Sequence, residues 1–463
     1  MDRNLRVVLA ARLAMSVGRA VASVVTALYL AAVGFSAIEI GALFVGVTAA
    51  SAVMASTIGL LSDRWGRRPF LVVVPLMTAV AGAVFAFVHT PAVLFVAAAL
   101  GSFGRGAGAG AGNIGPYQPA ESALVADTVP GDQRSAAFGR IAFASSLGAL
   151  GGGLLAELVH VRGHMTAAAA TAAYRPAFLA AAGLALVAGL LALLLREPHR
   201  APARPGPERR GFRWPRRSWP ALWRFWVTNA TNGLAIGLFG PFISYWLYRR
   251  YGVTPGTIGV LFALVNLGSL ASSLAAAPVG RRLGTVRAIS AVRLLGGALL
   301  VPMVLAPTFW LAGAVYFVRM LVQRIGLPLR QSFTQDMAHP EERASVAALS
   351  NLPAQAAQAG SQALAGYLFE EVSLAAPFEL AAVLQSANAV LYTLLFAFRP
   401  PRPVVQTSDP GRRPAEAPDR PQGEQHQPGQ QVGHPAHVER PAHEWEVHQP
   451  VETPQRGELG QGA

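Results

Sequence analysis

The sequence predicts an all-α integral membrane protein whose twelve transmembrane helices form two pseudo-symmetric six-helix bundles. Three observations carry this expectation. Apolar residues far outnumber charged ones, apolar runs of membrane-spanning length follow one another along the chain, and short patterns recur in the same order in both halves.

The composition comes first. Of 463 residues, 52% are hydrophobic and 13% charged, and the mean hydropathy is +0.38. A soluble domain carries about 25% charged residues, so the deficit implies a surface that faces lipid. The formal net charge of +14 comes entirely from arginine, placed in short loops between apolar runs. That placement favours a membrane over a nucleic acid as the basic chain's partner. Cysteine is absent, which excludes disulfides, thiolate catalysis and cysteine-based metal sites. The first apolar stretch extends to about Val33, too long for a signal-peptide core, and reads as a retained first helix.

Runs long enough to cross a ~30 Å hydrocarbon core lie at about 5–33, 38–60, 70–89, 92–115, 136–160 and 174–195. They resume at 222–250, 257–279, 285–305, 308–330, 343–369 and 374–398. The implied organisation is an N-terminal bundle over 1–195, an arginine-rich linker over 196–221, a C-terminal bundle over 222–399 and a polar tail over 400–463. The tail is rich in Pro, Gln, Glu and Arg and is expected to be disordered. Its histidines (His426, His434, His437, His443, His448) follow no ligand spacing, so no metal is expected. Arginines crowd one side of the alternating loops: Arg3, Arg6, Arg64, Arg67, Arg68, Arg134, the linker, Arg281, Arg282, Arg287 and Arg343. The positive-inside rule then puts both termini in the cytoplasm, which requires an even number of spans.

The halves echo one another. Gly34–Phe44 and Gly252–Phe262 each carry a glycine, a Ser or Thr helix cap (Ser36, Thr254) and an Ile-Gly-x-Leu-Phe opening. Asp127–Arg134 pairs with Asp336–Arg343, and Phe103–Arg105 with Phe317–Arg319.

Between the second and third runs stands Gly59-Leu-Leu-Ser-Asp63-Arg64-Trp-Gly66-Arg67-Arg68. Glycine at 59 permits a close helix contact and glycine at 66 a tight turn, while Asp63 suits Arg67 or a helix N-terminus. This decapeptide resembles the G-x-x-x-D-R-x-G-R-R signature of the major facilitator superfamily, whose members are twelve-helix secondary transporters. The resemblance implies a conformational latch made of Gly59, Asp63, Arg64, Gly66, Arg67 and Arg68, with the acid docked on the start of the eleventh helix, here near Pro340–Glu342. The second-half copy, Gly280–Gly284, has no acid.

Ionisable groups within spans are candidates for function because they are costly there. Arg19, Arg105 and Arg319 stand mid-run and are expected to serve a cavity, while Arg12 and Arg324 are placed to snorkel to the interface. Arg105 also resembles an arginine implicated in proton transfer in the family's antiporters. Asn229, Asn232 and Gln355 are candidate substrate contacts, and Tyr117, Tyr245 and Tyr316 candidate interface anchors. Glu121 and Asp127 are read as cytoplasmic, so no carboxylate is expected mid-span. Gly148–Gly153 loosely resembles a glycine-rich motif of drug antiporters but has no Gly-Pro pair.

The expected function is secondary transport of a small solute by a monomer in the lipid bilayer of the cell membrane, without cofactor, catalytic group or nucleic acid. The first helix and its outer loop resemble the efflux branch, and the arginine-rich interior suits an anionic or amphiphilic solute. An uptake carrier and a transport-inactive sensor or scaffold are the alternatives. No His/Asp/Glu grouping of catalytic spacing supports an enzyme.

Overall fold

The computed structural model describes residues 3–103, 115–130, 133–159, 166–197, 214–339, 342, 346 and 349–397. Their helices are α1 (Arg3–Val33), α2 (Ala37–Trp65), α3 (Arg68–Phe87), α4 (Pro91–Gly101), α5 (Tyr117–Thr128), α6 (Arg134–Leu155) and α7 (Ala167–Ala192). After the linker come α8 (Trp219–Phe239), α9 (Ile243–Tyr251), α10 (Pro255–Leu274), α11 (Ala276–Leu283), α12 (Thr285–Ala298) and α13 (Leu300–Leu305). The last are α14 (Phe309–Met337), α15 (Leu352–Tyr367), which ends in a π turn over Leu368–Val372, and α16 (Ala376–Phe396). No strand occurs among the described residues. Seven helices among these residues are long and apolar enough to cross a membrane. Residues up to Arg402 form one unit, while the tail from Pro403, like linker residues 198–213, lies outside the described residues.

Local signals explain the helix starts. Ser36 accepts from the Glu39 amide at 3.1 Å while Glu39 accepts from the Ser36 amide at 2.9 Å, a reciprocal capping box at the start of α2. Thr254 accepts from the Thr257 amide in the repeated position. One boundary differs from expectation. Helix α7 begins at Ala167, capped by Thr166, and carries Arg175 and Pro176 within it. Helix α15 runs from Leu352 with Pro353 in its first turn, while Pro340 and Glu341, where the eleventh helix was expected to start, lie outside the described residues.

The packing repeats. In the first half α1 packs on α6 and α7, and α3 packs on α7. In the second, α8 packs on α15 and α16, and α12 packs on α16. The halves meet where α2 packs on α15 and α6 on α10.

The apolar core is distributed unevenly along the bundle. Near the helix ends remote from the termini, one large cluster joins Tyr29, Phe44 and Phe178 of the first half to Phe242, Trp246, Phe369 and Phe378 of the second. Toward the termini the clusters described are confined to one half each. Leu5, Ile58, Leu124 and Leu195 belong to one, and Phe225, Phe333, Tyr392 and Phe396 to another.

Glycines bring the halves together at the remote end. A methyl group on Gly41 would lie 2.7 Å from the Gln362 carbonyl oxygen, and Gly366 abuts the Ala37 carbonyl. On the other seam Gly153 and Gly259 face each other, and a methyl on Gly153 would sit 2.5 Å from the Gly259 oxygen. Small residues permit this backbone approach where no hydrophobic effect separates helix from lipid. Two hydrogen bonds add to it: the Ile38 amide to Glu370 at 3.0 Å, and the Thr48 hydroxyl to Gln362 at 3.0 Å. The glycine-rich stretch of α6 has a packing role too, since Gly148 and Gly152 press on the α1 backbone at Leu13 and Val17.

Candidate functional site

The arginine loop ties together the helix ends on the side of the termini. Helix α2 runs through Gly59 to Trp65, and Gly66 then adopts φ +90°, a conformation that favours glycine. Arg67 caps α3, whose first turn holds Pro69. The Glu197 carboxylate accepts from the amides of Arg67 (2.5 Å) and Arg68 (2.7 Å), so an anion sits at the positive end of α3. Arg67 Nε lies 2.9 Å from Asp127 Oδ2, and the Arg68 guanidinium donates to the Leu193 carbonyl at 2.6 Å. The loop is therefore fastened to the ends of α5 and α7.

The carboxylate at the start of α3 is Glu197, and the described acid beside Arg67 is Asp127. The side chains of Asp63 and Arg64 lie outside the described residues. No described atom lies within 4 Å of a methyl placed on Gly59, so Gly59 makes no close helix contact among the described residues. In the second half Glu342 accepts from the amides of Arg217 (3.2 Å) and Ser218 (2.7 Å) at the start of α8. Partial burial works against the Glu342 anion, but hydrogen bonds from Ser218 and the two amides outweigh it and hold the carboxyl below its usual range.

Inside the first half, Arg12 and Glu121 are enclosed by neighbouring helices and paired with each other. Both are buried, at 4% and 2% exposure, with Arg12 Nη1 2.5 Å from Glu121 Oε2. Arg12 Nε also donates to the Ser145 hydroxyl. Helices α5 and α6 cover this face of α1, so the guanidinium cannot reach water and meets a carboxylate instead. Tyr117, one turn before Glu121, is buried in the same cluster. Arg19 lies two turns further along α1, also buried, and Arg105 falls outside the described residues. The tyrosine anchors are revised as well: Tyr117, Tyr245 and Tyr316 are all buried, because neighbouring helices cover the faces that carry them.

The second half holds its arginines differently. Arg319 is fully buried, donates from Nε to the Gly296 carbonyl at 2.9 Å and stacks over Phe239 with 4.4 Å to the ring centroid. Close by, a cavity of about 130 Å³ is lined by Asn232 of α8, Arg293 of α12, and Gln323 and Arg330 of α14. Arg293 also stacks over Tyr392 at 4.9 Å, and Gln323 donates to Gln385 at 3.2 Å. Among the described residues, no carboxylate forms an ion pair with Arg293, Arg319 or Arg330.

The remaining candidates separate. Asn232 reaches the cavity, whereas Asn229 donates to the Ser350 carbonyl at 2.8 Å and so joins α8 to the start of α15. Gln355 is half-buried on α15, away from this cavity. Sequence reasoning missed Arg293 and Arg330. The signal was present for Arg293, which stands within an apolar run as Arg319 does; Arg330 is the last residue of its run, so its position alone did not mark it.

A bundle of long apolar helices with a repeated packing pattern and arginines held in its interior is a multi-pass membrane transporter fold. The chain belongs to the Major Facilitator Superfamily, whose family model matches residues 8–230 and 225–445. An uncharacterized MFS-type transporter, YceJ of Bacillus subtilis (strain 168), is 30% identical over 129 residues, 28% of this chain and 33% of that protein. The chain thus aligns with about a third of that curated relative. Among solved structures, the nucleoside transporter NupG matches with a TM-score of 0.65 at 13% identity, covering 86% of this chain and 100% of that one. A POT family peptide transporter matches with a TM-score of 0.67 at 14% identity, covering 86% and 97%. A bacterial homologue of the human lysosomal transporter Spinster, inward-facing and occupied, matches with a TM-score of 0.62 at 14% identity, covering 85% and 95%. These structural likenesses concern the fold alone.

Proposed function

We propose that this membrane transporter works by alternating access, the two halves rocking about a site between them, and that it exports a small solute across the cell membrane. The observation that carries the reading is the uneven core. One apolar cluster and two glycine seams join the halves at the end remote from the termini, while the clusters toward the termini belong to one half each. Among the described residues the core is joined at one end and divided at the other, the form of one state of an alternating-access cycle. Arginine placement supports a divided end that faces the cytoplasm, and on this reading the state takes its solute from the cell interior. The export direction also draws on the likeness of the first helix and its outer loop to the efflux branch. On this reading the working unit is a monomer in the bilayer, its only other partner the solute.

The test is expression in a strain stripped of its common efflux pumps, preloaded with a panel of fluorescent solutes. Accelerated loss of one of them is the expected result. Accumulation instead would establish uptake, and no flux of any solute would favour a sensor or scaffold. Deleting residues 400–463 separates the last case, since a transporter retains flux without that tail.

A further inference from the structure

We propose that the cavity between α8, α12 and α14 seats an oxyanion group, a carboxylate or phosphate, belonging to the transported solute. Arg293 and Arg330 are its cationic ligands, and Asn232 and Gln323 its neutral hydrogen-bonding partners. The proposal rests on the transporter reading above and adds the substrate class to it.

The argument begins with Arg293. It is 7% exposed, and its Nη1 has no hydrogen-bond partner. Its guanidinium has the Tyr392 ring against it and the cavity beside it. A buried cation without a counter-ion is unfavourable, far more so than a paired one. Arg330 lines the same cavity, so two like charges share one small space. The first half treats its buried Arg12 otherwise, by supplying Glu121. In the second half no described acid pairs with Arg293 or Arg330, and an anion from outside satisfies both arginines at once.

Size and shape agree with that assignment. A volume of about 130 Å³ compares with ~30 Å³ for one water in the liquid. It admits the few heavy atoms of a charged head group and excludes a whole drug-sized solute, whose pockets run from about 300 Å³ upward. Planar guanidinium forks match the spacing of carboxylate and phosphate oxygens. Asn232, Gln323 and Arg330 are only half-buried, which leaves the site an approach for the charged group. Gln323 is held by Gln385, so its position is fixed before any ligand arrives.

The experiment uses the full-length protein purified in detergent. Phenyl phosphate, benzoate, inorganic phosphate and benzyl alcohol are titrated while apparent melting temperature is followed, because a ligand of the folded state raises it. Phenyl phosphate and benzoate are expected to raise it saturably and benzyl alcohol to leave it unchanged. Arg293→Gln and Arg330→Gln are each expected to weaken both organic anions by at least about tenfold, one bidentate contact's worth. Arg293→Lys and Arg330→Lys keep the charge and guard against misfolding; they should retain part of the affinity. Inorganic phosphate binding as tightly as phenyl phosphate would overturn the assignment to a solute's head group in favour of a free-anion site. Equal affinity in both Gln variants, or no preference over benzyl alcohol, would overturn the site altogether. Counterflow of labelled phenyl phosphate in proteoliposomes keeps the two proposals apart. Arginine-dependent binding without counterflow sinks the transport reading and leaves the site standing; counterflow unaffected by both Gln variants does the reverse.

Discussion

Arg12 and Glu121, 109 residues apart in sequence, meet at 2.5 Å inside the first half, each almost wholly buried. Such a pair adds little net stability compared with apolar residues of the same volume, but breaking it strands a charge. Glu121→Gln is therefore expected to destabilise the protein by about 3–5 kcal/mol. The double variant Arg12→Met with Glu121→Leu should recover most of that loss. Melting of the purified variants in detergent, arranged as a double-mutant cycle, checks both outcomes. A double-variant loss equal to the sum of the two single losses would show that the two side chains act independently.

The arginine loop yields a ranking. Asp127 keeps 41% of its side chain exposed, so its pair with Arg67 belongs with surface ion pairs, worth up to ~1 kcal/mol. Glu197 satisfies two backbone amides at the start of α3, and losing such a cap costs about 0.5–2 kcal/mol. Glu197→Ala should lower the melting temperature more than Asp127→Asn does. The opposite order would mean that the ion pair, not the cap, holds the loop.

The glycine seam makes a geometric prediction. A side chain at Gly366 would collide with the Ala37 carbonyl, so Gly366→Leu should prise the remote ends apart. The chain contains no cysteine, so spin labels at Ile38→Cys and Val372→Cys, both on exposed positions, report without background. A longer-distance population in the Gly366→Leu protein is expected by double electron–electron resonance. An unchanged distance distribution would rule out the seam as the element that sets closure.

Glu342 gives a pH dependence. Its carboxyl is held below the ordinary range by donors at the start of α8. A depressed native pKa contributes stability that is fully present above the unfolded value, ~4.3 for Glu, and is lost as pH falls through the native value. Wild type should therefore lose its advantage over Glu342→Gln as the pH is lowered from neutrality through and below that range. Parallel melting curves at every pH would exclude the contribution.

The parts of this fold visible in the sequence are those set by local chemistry or by the membrane. Ser36 with Glu39, Gly66 before Arg67, and the apolar runs each state their structure within a few residues. The charged interior was only half visible. Arg12 stood out as an arginine within a span, but nothing near it in sequence named Glu121, which sits in a polar stretch between Tyr117 and Thr128 that resembles a loop. Whether such a residue faces water depends on how α5 packs on its neighbours, which is long-range information. Asp127 was legible as an acid near a cytoplasmic loop, but not as the partner of Arg67, and nothing local marked Glu197 as the acceptor for the Arg67 amide. Arg293 and Arg330 converge only because α12 and α14 cross.

The unequal treatment of arginine in the two halves has an electrical consequence. The first half cancels the charge of Arg12 internally, whereas Arg293 and Arg330 in the second have no described counter-ion. Carrying one elementary charge through a 100 mV membrane potential is worth about 2.3 kcal/mol. If the halves rock as proposed, even a partial displacement of the second half across that field would bias the cycle toward one state. An anion seated with the arginines would cancel the bias, making the empty protein voltage-sensitive and the loaded one far less so. Potassium gradients clamped with valinomycin across proteoliposomes would expose the difference as a return step that depends on voltage and a loaded step that does not.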